Sequence, residues 1–246
     1  MFDEPTDTDI AIARRDLAAA YRLIAHFGLD DGIYTHISMR LGHDRFLLNP
    51  FGLSFDEIRA STLVTIDHEG SIIDDPHGTG VNAAGFTIHS AVHMERPDVA
   101  CVAHTHTVAG VAVSSQEKGL LPLNQWSLQF YNRIAFHDYE GIALDLEERD
   151  RLVADLGSFD TMILRNHGML TCGQTVGAAI KKMLNLERAC QAQVAALAGG
   201  QELRWPPHDV CEKTAQQYEG GADKPRDFQW EAYLRLLERV APDFSD

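Results

Sequence analysis

The chain has no apolar run near the roughly 20 residues that a membrane-spanning helix requires. Its start, M-F-D-E-P-T-D-T-D, is acidic and lacks the basic and apolar regions of a leader peptide. The expected setting is therefore cytoplasmic, with no membrane partner. Cysteine is scarce. Cys101, Cys172, Cys190 and Cys211 are scattered without C-x-x-C spacing, which reads as reduced, mostly buried thiols and not as a disulfide framework or thiol catalysis. Cations are few: 21 Lys and Arg stand against 36 Asp and Glu, a formal net charge of −15. A polyanion would be repelled, so nucleic acid and anionic membrane are excluded as expected partners, while a small anionic substrate is not. Repeats and low-complexity blocks are also missing. What remains is 246 residues with 45% hydrophobic and 23% charged content, enough for one sizeable core.

Periodicity places a helix over 8–28, with Leu17, Tyr21, Ile24 and Phe27 on one stripe and Gly28 at its end. Short apolar runs at 33–41, 45–52 and 63–67 read as strands, with G-H-D as a hairpin turn between the first two. A helix over 86–95 stops before Pro97, a strand follows at 99–107, and A-G-V-A-V-S-S reads as a helix. R-I-A-F and G-I-A-L read as further strands. L-E-E-R-D-R-L-V-A-D-L-G is a short helix with a glycine stop, and 161–171 is a strand broken by N-H-G. The longest helix spans 175–198, with Val176, Ile180, Met183, Leu184 and Leu186 inward. Beyond Gly199 the chain is rich in Pro and charge until an amphipathic helix at 228–240. The expected division is a domain over 1–200 and an extension over 201–246 that packs on the domain or on a neighbouring subunit.

The chemistry centres on V-A-H-T-H-T. In a strand, His104 and His106 fall on one face about 7 Å apart, close enough to converge on one ion. His167 lies in N-H-G after the apolar run T-M-I-L, where Gly168 is expected to take a positive φ and turn the ring outward. Three imidazoles leave a coordination position open, as a catalytic metal site does. His89 and His93 share the i, i+4 metal spacing without an intervening acid. The expectation is a hydrogen-bonded core residue for His89 and a near-surface one for His93. Glu117, Glu140, Asp138 and the E-E-R-D run at 147–150 read as solvated, with Asp138 a possible acceptor for a ligand imidazole. Arg165 alternates away from His167 and reads as structural.

The run I-H-S-A-V-H-M-E-R-P-D-V-A-C-V-A-H-T-H-T, followed by M-I-L-R-N-H-G-M-L-T, resembles the class II aldolase/adducin family. N-P-F-G-L-S-F-D-E-I and H-D-Y-E-G extend the resemblance over about residues 10 to 200. It implies a three-layer α/β/α fold around a largely antiparallel sheet, in a homotetramer with sites between subunits. It also implies a divalent metal on the positions of His104, His106 and His167, most often zinc, with iron, manganese or cobalt as other choices. In the family's aldolases that ion polarises a carbonyl during retro-aldol cleavage.

The chain departs from those aldolases where they carry Ser-Ser-Glu. Here the sequence reads Ala83-Ala84-Gly85, so the acid/base glutamate is missing. The family's phosphate-binding positions read Thr35-His36, Phe51-Gly52 and Ala83-Ala84. Most donors are gone, which argues for a small, non-phosphorylated carbonyl substrate that is less polar or carboxylated. The N-A-G-F version lies closer to the adducin-like branch. His36 is the first candidate to replace the glutamate and Tyr131, a phenol able to protonate a leaving group, the second. Gly52, Gln125 and Arg133 are candidates to bind or orient substrate. Three readings follow: an aldolase-like lyase, a non-haem Fe(II) oxygenase on the same fold, and a non-catalytic binding or assembly domain of the actin-associated adducin type.

Overall fold

The computed structural model describes residues 4–220 and 226–246. The first three residues of the acidic start, and 221–225 in the Pro- and charge-rich stretch, lie outside the described residues. Helix α1 (Asp7–His26) begins at Thr6, whose hydroxyl accepts from Asp9 N while the Asp9 carboxylate takes the Thr6 N–H. Its stripe of Leu17, Tyr21 and Ile24 is fully buried. The chain then runs β1 (His36–Leu41), β2 (Arg45–Leu48), β3 (Val64–Asp67) and β4 (Ile72–Asp74), followed by α2 (Ala83–Glu95) and β5 (Cys101–Thr105). After α3 (Val108–Ser114) and α4 (Gln125–Leu128) come β6 (Ala135–His137), α5 (Glu148–Leu156), β7 (Thr161–Leu164) and β8 (Gly168–Gly173). The chain ends in α6 (Val176–Ala198), α7 (His208–Glu219) and α8 (Phe228–Val240).

The strands form one eight-stranded sheet in the order β4-β3-β2-β1-β5-β8-β7-β6. Every pair is antiparallel except β6 with β7. Helices cover both faces, giving the expected three-layer α/β/α architecture. Strand alternation decides what each face buries. Ile37 and Leu41 of β1 and Cys101 and Ala103 of β5 join the large core with α1 and α6. Val102, Leu170 and Cys172 turn the other way, toward α2 and α5. Helix α8 places Trp230 and Leu237 in the large core. Gly177 of α6 makes room for it, since a Cβ there would stand 2.8 Å from Trp230 Cγ.

Several elements differ from expectation. G-I-A-L forms no strand; Ala143 is buried while Ile142 and Leu144 are exposed at the mouth of a cleft. The short edge strand β4 and the helices α4 and α7 were not legible. Helix α2 starts at Ala83, three residues early, because Asn82 caps it: its Oδ1 accepts from Ala84 N at 2.9 Å and Gly85 N at 3.4 Å. Glu148 is not solvated but buried, with its carboxylate 3.4 Å from His137 Nε2.

Candidate metal centre

His104 is the penultimate residue of β5, with its ring on the α2 side of the sheet. His106 follows just past the strand, and His167 sits at the β7–β8 turn directly across. One nitrogen from each of the three lies within 4.8 Å of the other two. The turn works differently from expectation. Asn166 takes the positive φ, 55°, whereas Gly168 is needed for close approach: a Cβ there would lie 2.4 Å from Thr105 O and 3.1 Å from His106 Cδ2.

The outer nitrogens decide what the inner ones can do. His104 Nδ1 is 3.0 Å from the Met169 carbonyl, which only accepts, so Nδ1 carries the hydrogen and Nε2 the lone pair. His106 Nδ1 is 3.1 Å from Asp31 Oδ2, which fixes the same tautomer. Yet His104 Nε2 stands 2.8 Å from His106 Nε2, and His106 Nε2 stands 2.9 Å from His167 Nε2. With the hydrogen on Nδ1 of both rings, the Nε2 lone pairs of His104 and His106 face each other, an arrangement that a cation between them reconciles. A backbone carbonyl on one outer nitrogen and a carboxylate on the next is the usual support of metal-bound imidazoles. The donor set therefore fits a divalent ion. Burial holds His104 well below its ordinary 6.5, with the neighbouring His167 adding to the effect. Burial first, and His106 second, push His167 down to about 4. Both rings are thus neutral at pH 7, the form that ligates.

His36 stands opposite His104 in the β1–β5 register, and their rings stack with centroids 5.0 Å apart. From His36 a buried polar chain runs inward. His36 Nδ1 is 2.8 Å from His89 Nε2, His89 Nδ1 is 2.5 Å from Ser38 Oγ, and Ser38 Oγ is 2.7 Å from His93 Nε2. His89 is the expected core residue. His93 is not near the surface: it is 1% exposed, because both α2 histidines face the polar side of β1. Burial is the main cause that keeps all three of these rings well below 6.5.

Above the histidines opens a cleft of about 690 Å³, lined by His36, Phe51, Ala83 and Ala84 together with the three histidines. The structure thus brings His36 and the Phe51-Gly52 turn to the same cleft as His104, His106 and His167. It does not bring Tyr131, Gln125 or Arg133 there in the same chain. Tyr131 Oη lies 2.8 Å from His208 Nδ1, Arg133 pairs with Glu212 and Glu219, and Gln125 lines a separate groove beside α7. Asp138 is not the acceptor for a ligand imidazole; it lines a groove with Arg165 and Asn166. Asp31 takes that role and was missed, since nothing in its loop setting ties it to a histidine 75 residues away. Arg165 is structural: its guanidinium donates to Gln116 O and lies over the Phe136 ring.

Fold and site together define a three-layer α/β/α protein with an open three-histidine centre able to take a metal ion. The model of the Class II Aldolase and Adducin N-terminal domain matches residues 15–194, and the chain belongs to that family. A Pseudomonas aeruginosa protein that its name places in aldolase class 2 is 47% identical, over 94% of this chain and 91% of its own. Rat alpha-adducin is 44% identical over 76% of this chain, which spans only 26% of that protein. Among solved structures, an aldolase II superfamily protein from Pseudomonas syringae superposes with a TM-score of 0.93 at 51% identity, covering 98% of each chain. An L-fuculose 1-phosphate aldolase from Glaciozyma antarctica PI12 gives 0.84 at 30% identity, covering 98% of this chain and 96% of its own.

Proposed function

We propose that the chain is a metal-dependent lyase that cleaves a carbon–carbon bond in a small, non-phosphorylated carbonyl compound. The observation that carries this reading is the convergence of His104, His106 and His167, with the outer nitrogens of His104 and His106 already occupied. These three residues would hold a divalent ion, zinc foremost, with iron, manganese or cobalt as other candidates. When bound, it supplies Lewis-acid polarisation of a carbonyl oxygen.

The chain's own residues supply the rest. His36 takes the place of the missing glutamate. A Cβ at position 85 would lie 2.6 Å from His36 Cδ2, so the imidazole already fills the space where a longer side chain would begin. Glycine at 85 and histidine at 36 are two halves of one exchange. His36 lines the cleft, is neutral, and is held in orientation by His89, as a general base beside the reacting carbons must be. Gly52 adjoins the lining residue Phe51. Tyr131 and Gln125 stay in the proposal as residues that reach a neighbouring subunit's cleft in a cytoplasmic homo-oligomer, a tetramer by family resemblance.

The test offers zinc-loaded protein a panel of β-hydroxycarbonyl compounds, with and without phosphate, and follows released aldehyde. Cleavage of unphosphorylated members, reduced about 10²- to 10⁴-fold in His36→Ala, supports the reading. Cleavage of sugar phosphates alone contradicts it. Oxygen uptake by iron-loaded protein would move the oxygenase reading forward. The 44% identity to alpha-adducin favours the assembly reading if neither activity is found.

A further inference from the structure

The cleft above the histidines has a lining poor in charged side chains. Among the described residues no lysine or arginine lines it, and its one acidic side chain is Asp31, which is already hydrogen-bonded to His106. Within one chain a dianion or a distal carboxylate would find no lysine or arginine. The start of α2 borders the cleft, and a helix start often receives an anion. Here the amides of Ala84 and Gly85 are taken by Asn82 Oδ1, and that of Phe86 by Asn82 O at 2.9 Å. Three of the first four amides of α2 are thus satisfied from within. Asn82 and Tyr139 also line the cleft, and the rest of the wall is largely apolar and open to solvent: Ile142 is 73% exposed, Leu144 60%, Tyr34 58% and Phe51 38%. Four large apolar side chains around the mouth of a cleft of about 690 Å³ match a small-molecule site with an apolar body and few polar anchors.

We propose that the cleft receives an uncharged carbonyl compound whose far end is an aromatic or branched-alkyl group, seated against Ile142, Leu144, Phe51 and Tyr34. The carbonyl end of this proposal rests on the lyase reading; the apolar end does not. Ile142 and Leu144 reach the cleft because G-I-A-L bends instead of pairing as a strand, with Ala143 buried as the anchor between them.

The experiment titrates zinc-loaded full-length chain, by calorimetry, with three hydroxamates that share one metal-binding end: acetohydroxamate, benzohydroxamate and phosphoglycolohydroxamate. The expected result is benzohydroxamate tighter than acetohydroxamate by about tenfold or more, from burial of one phenyl ring. Phosphoglycolohydroxamate should be no tighter than acetohydroxamate. Ile142→Asp/Leu144→Asp should erase the phenyl advantage and leave acetohydroxamate binding unchanged. Tighter binding of the phosphorylated compound, or no phenyl advantage, overturns the proposal. So does a change of oligomer mass in the double variant with the phenyl advantage intact, which assigns the apolar wall to contact between copies. If zinc is not retained, the lyase reading fails separately. The apolar end is then read on metal-free protein by saturation-transfer NMR with 4-phenylbutan-2-one, with transfer to the phenyl protons expected in the parent and lost in the double variant. Absence of transfer in the parent overturns the proposal.

Discussion

The two faces of strand β1 bury opposite chemistry. Toward α1 and α6 the interior is hydrocarbon: Leu17, Ile24, Ile37 and Ile180 pack with Tyr21, whose hydroxyl is satisfied by Asn49 Oδ1 at 2.8 Å. Toward α2 the same strand β1 turns His36, Ser38 and Arg40 inward, where they meet His89, His93 and backbone carbonyls. H-I-S-M-R-L thus looks like a half-exposed strand with a wet face, yet both faces are covered. A hydrocarbon interior is stabilised by transfer from water and tolerates shape changes of similar volume. A polar interior is stable only when each donor and acceptor is matched, and it fixes orientation in return. The first face holds the fold together. The second aims His36 and His104 at the cleft.

Breaking the apolar face should have the largest effect on stability. Leu17→Ala is expected to cost about 2–5 kcal/mol in chemical denaturation, with metal stoichiometry unchanged in the folded protein. Loss of metal binding in that variant would erase the distinction between the faces. On the polar face, Ser38→Ala leaves His89 Nδ1 and His93 Nε2 without their shared partner and should cost about 1–3 kcal/mol.

The polar face should also respond to pH where the apolar face does not. His36, His89, His93 and His104 are held neutral by burial, below an ordinary value of 6.5. A buried group whose folded value is depressed binds its proton more readily when unfolded. Stability is therefore full above about 6.5 and falls as pH drops below it, by about 1.4 kcal/mol per pH unit for each proton. Denaturation of the metal-free chain between pH 7.5 and 5.5 should show a slope of more than one proton. A flat profile would mean that these rings are not buried neutral. The smallest effect on the fold is expected from Asp31→Asn, at the half-exposed rim. It should leave metal-free stability within about 0.5 kcal/mol while weakening metal affinity by about 10- to 100-fold, since His106 loses its anionic acceptor.

This contrast also explains what could be read from the residues alone. The apolar face was legible because it follows periodicity: the inward positions of α6, those of α1 apart from the exposed Phe27, and the course of β5 and β8 stand as expected. The clustering of His104, His106 and His167 was legible because H-x-H at a strand end and N-H-G at a turn are local patterns. The polar face was not. His93 reads as near-surface on an amphipathic helix, and only the register of β1 beneath α2 buries it. Asp31 depends on a loop brought across the fold. Gly168 signals a positive φ in sequence, whereas the packing needs its missing Cβ against Thr105 O. Helix α7 escaped because its buried stripe is just Cys211 and Ala215.

The central claim is that His104, His106 and His167 converge to hold a metal ion. Its most direct test is the metal content of chain purified without added metal or chelator, beside a His104→Ala/His106→Ala control. The account predicts about one equivalent of a divalent metal per chain in the parent and none in the control. No metal in either protein, or equal metal in both, would contradict it.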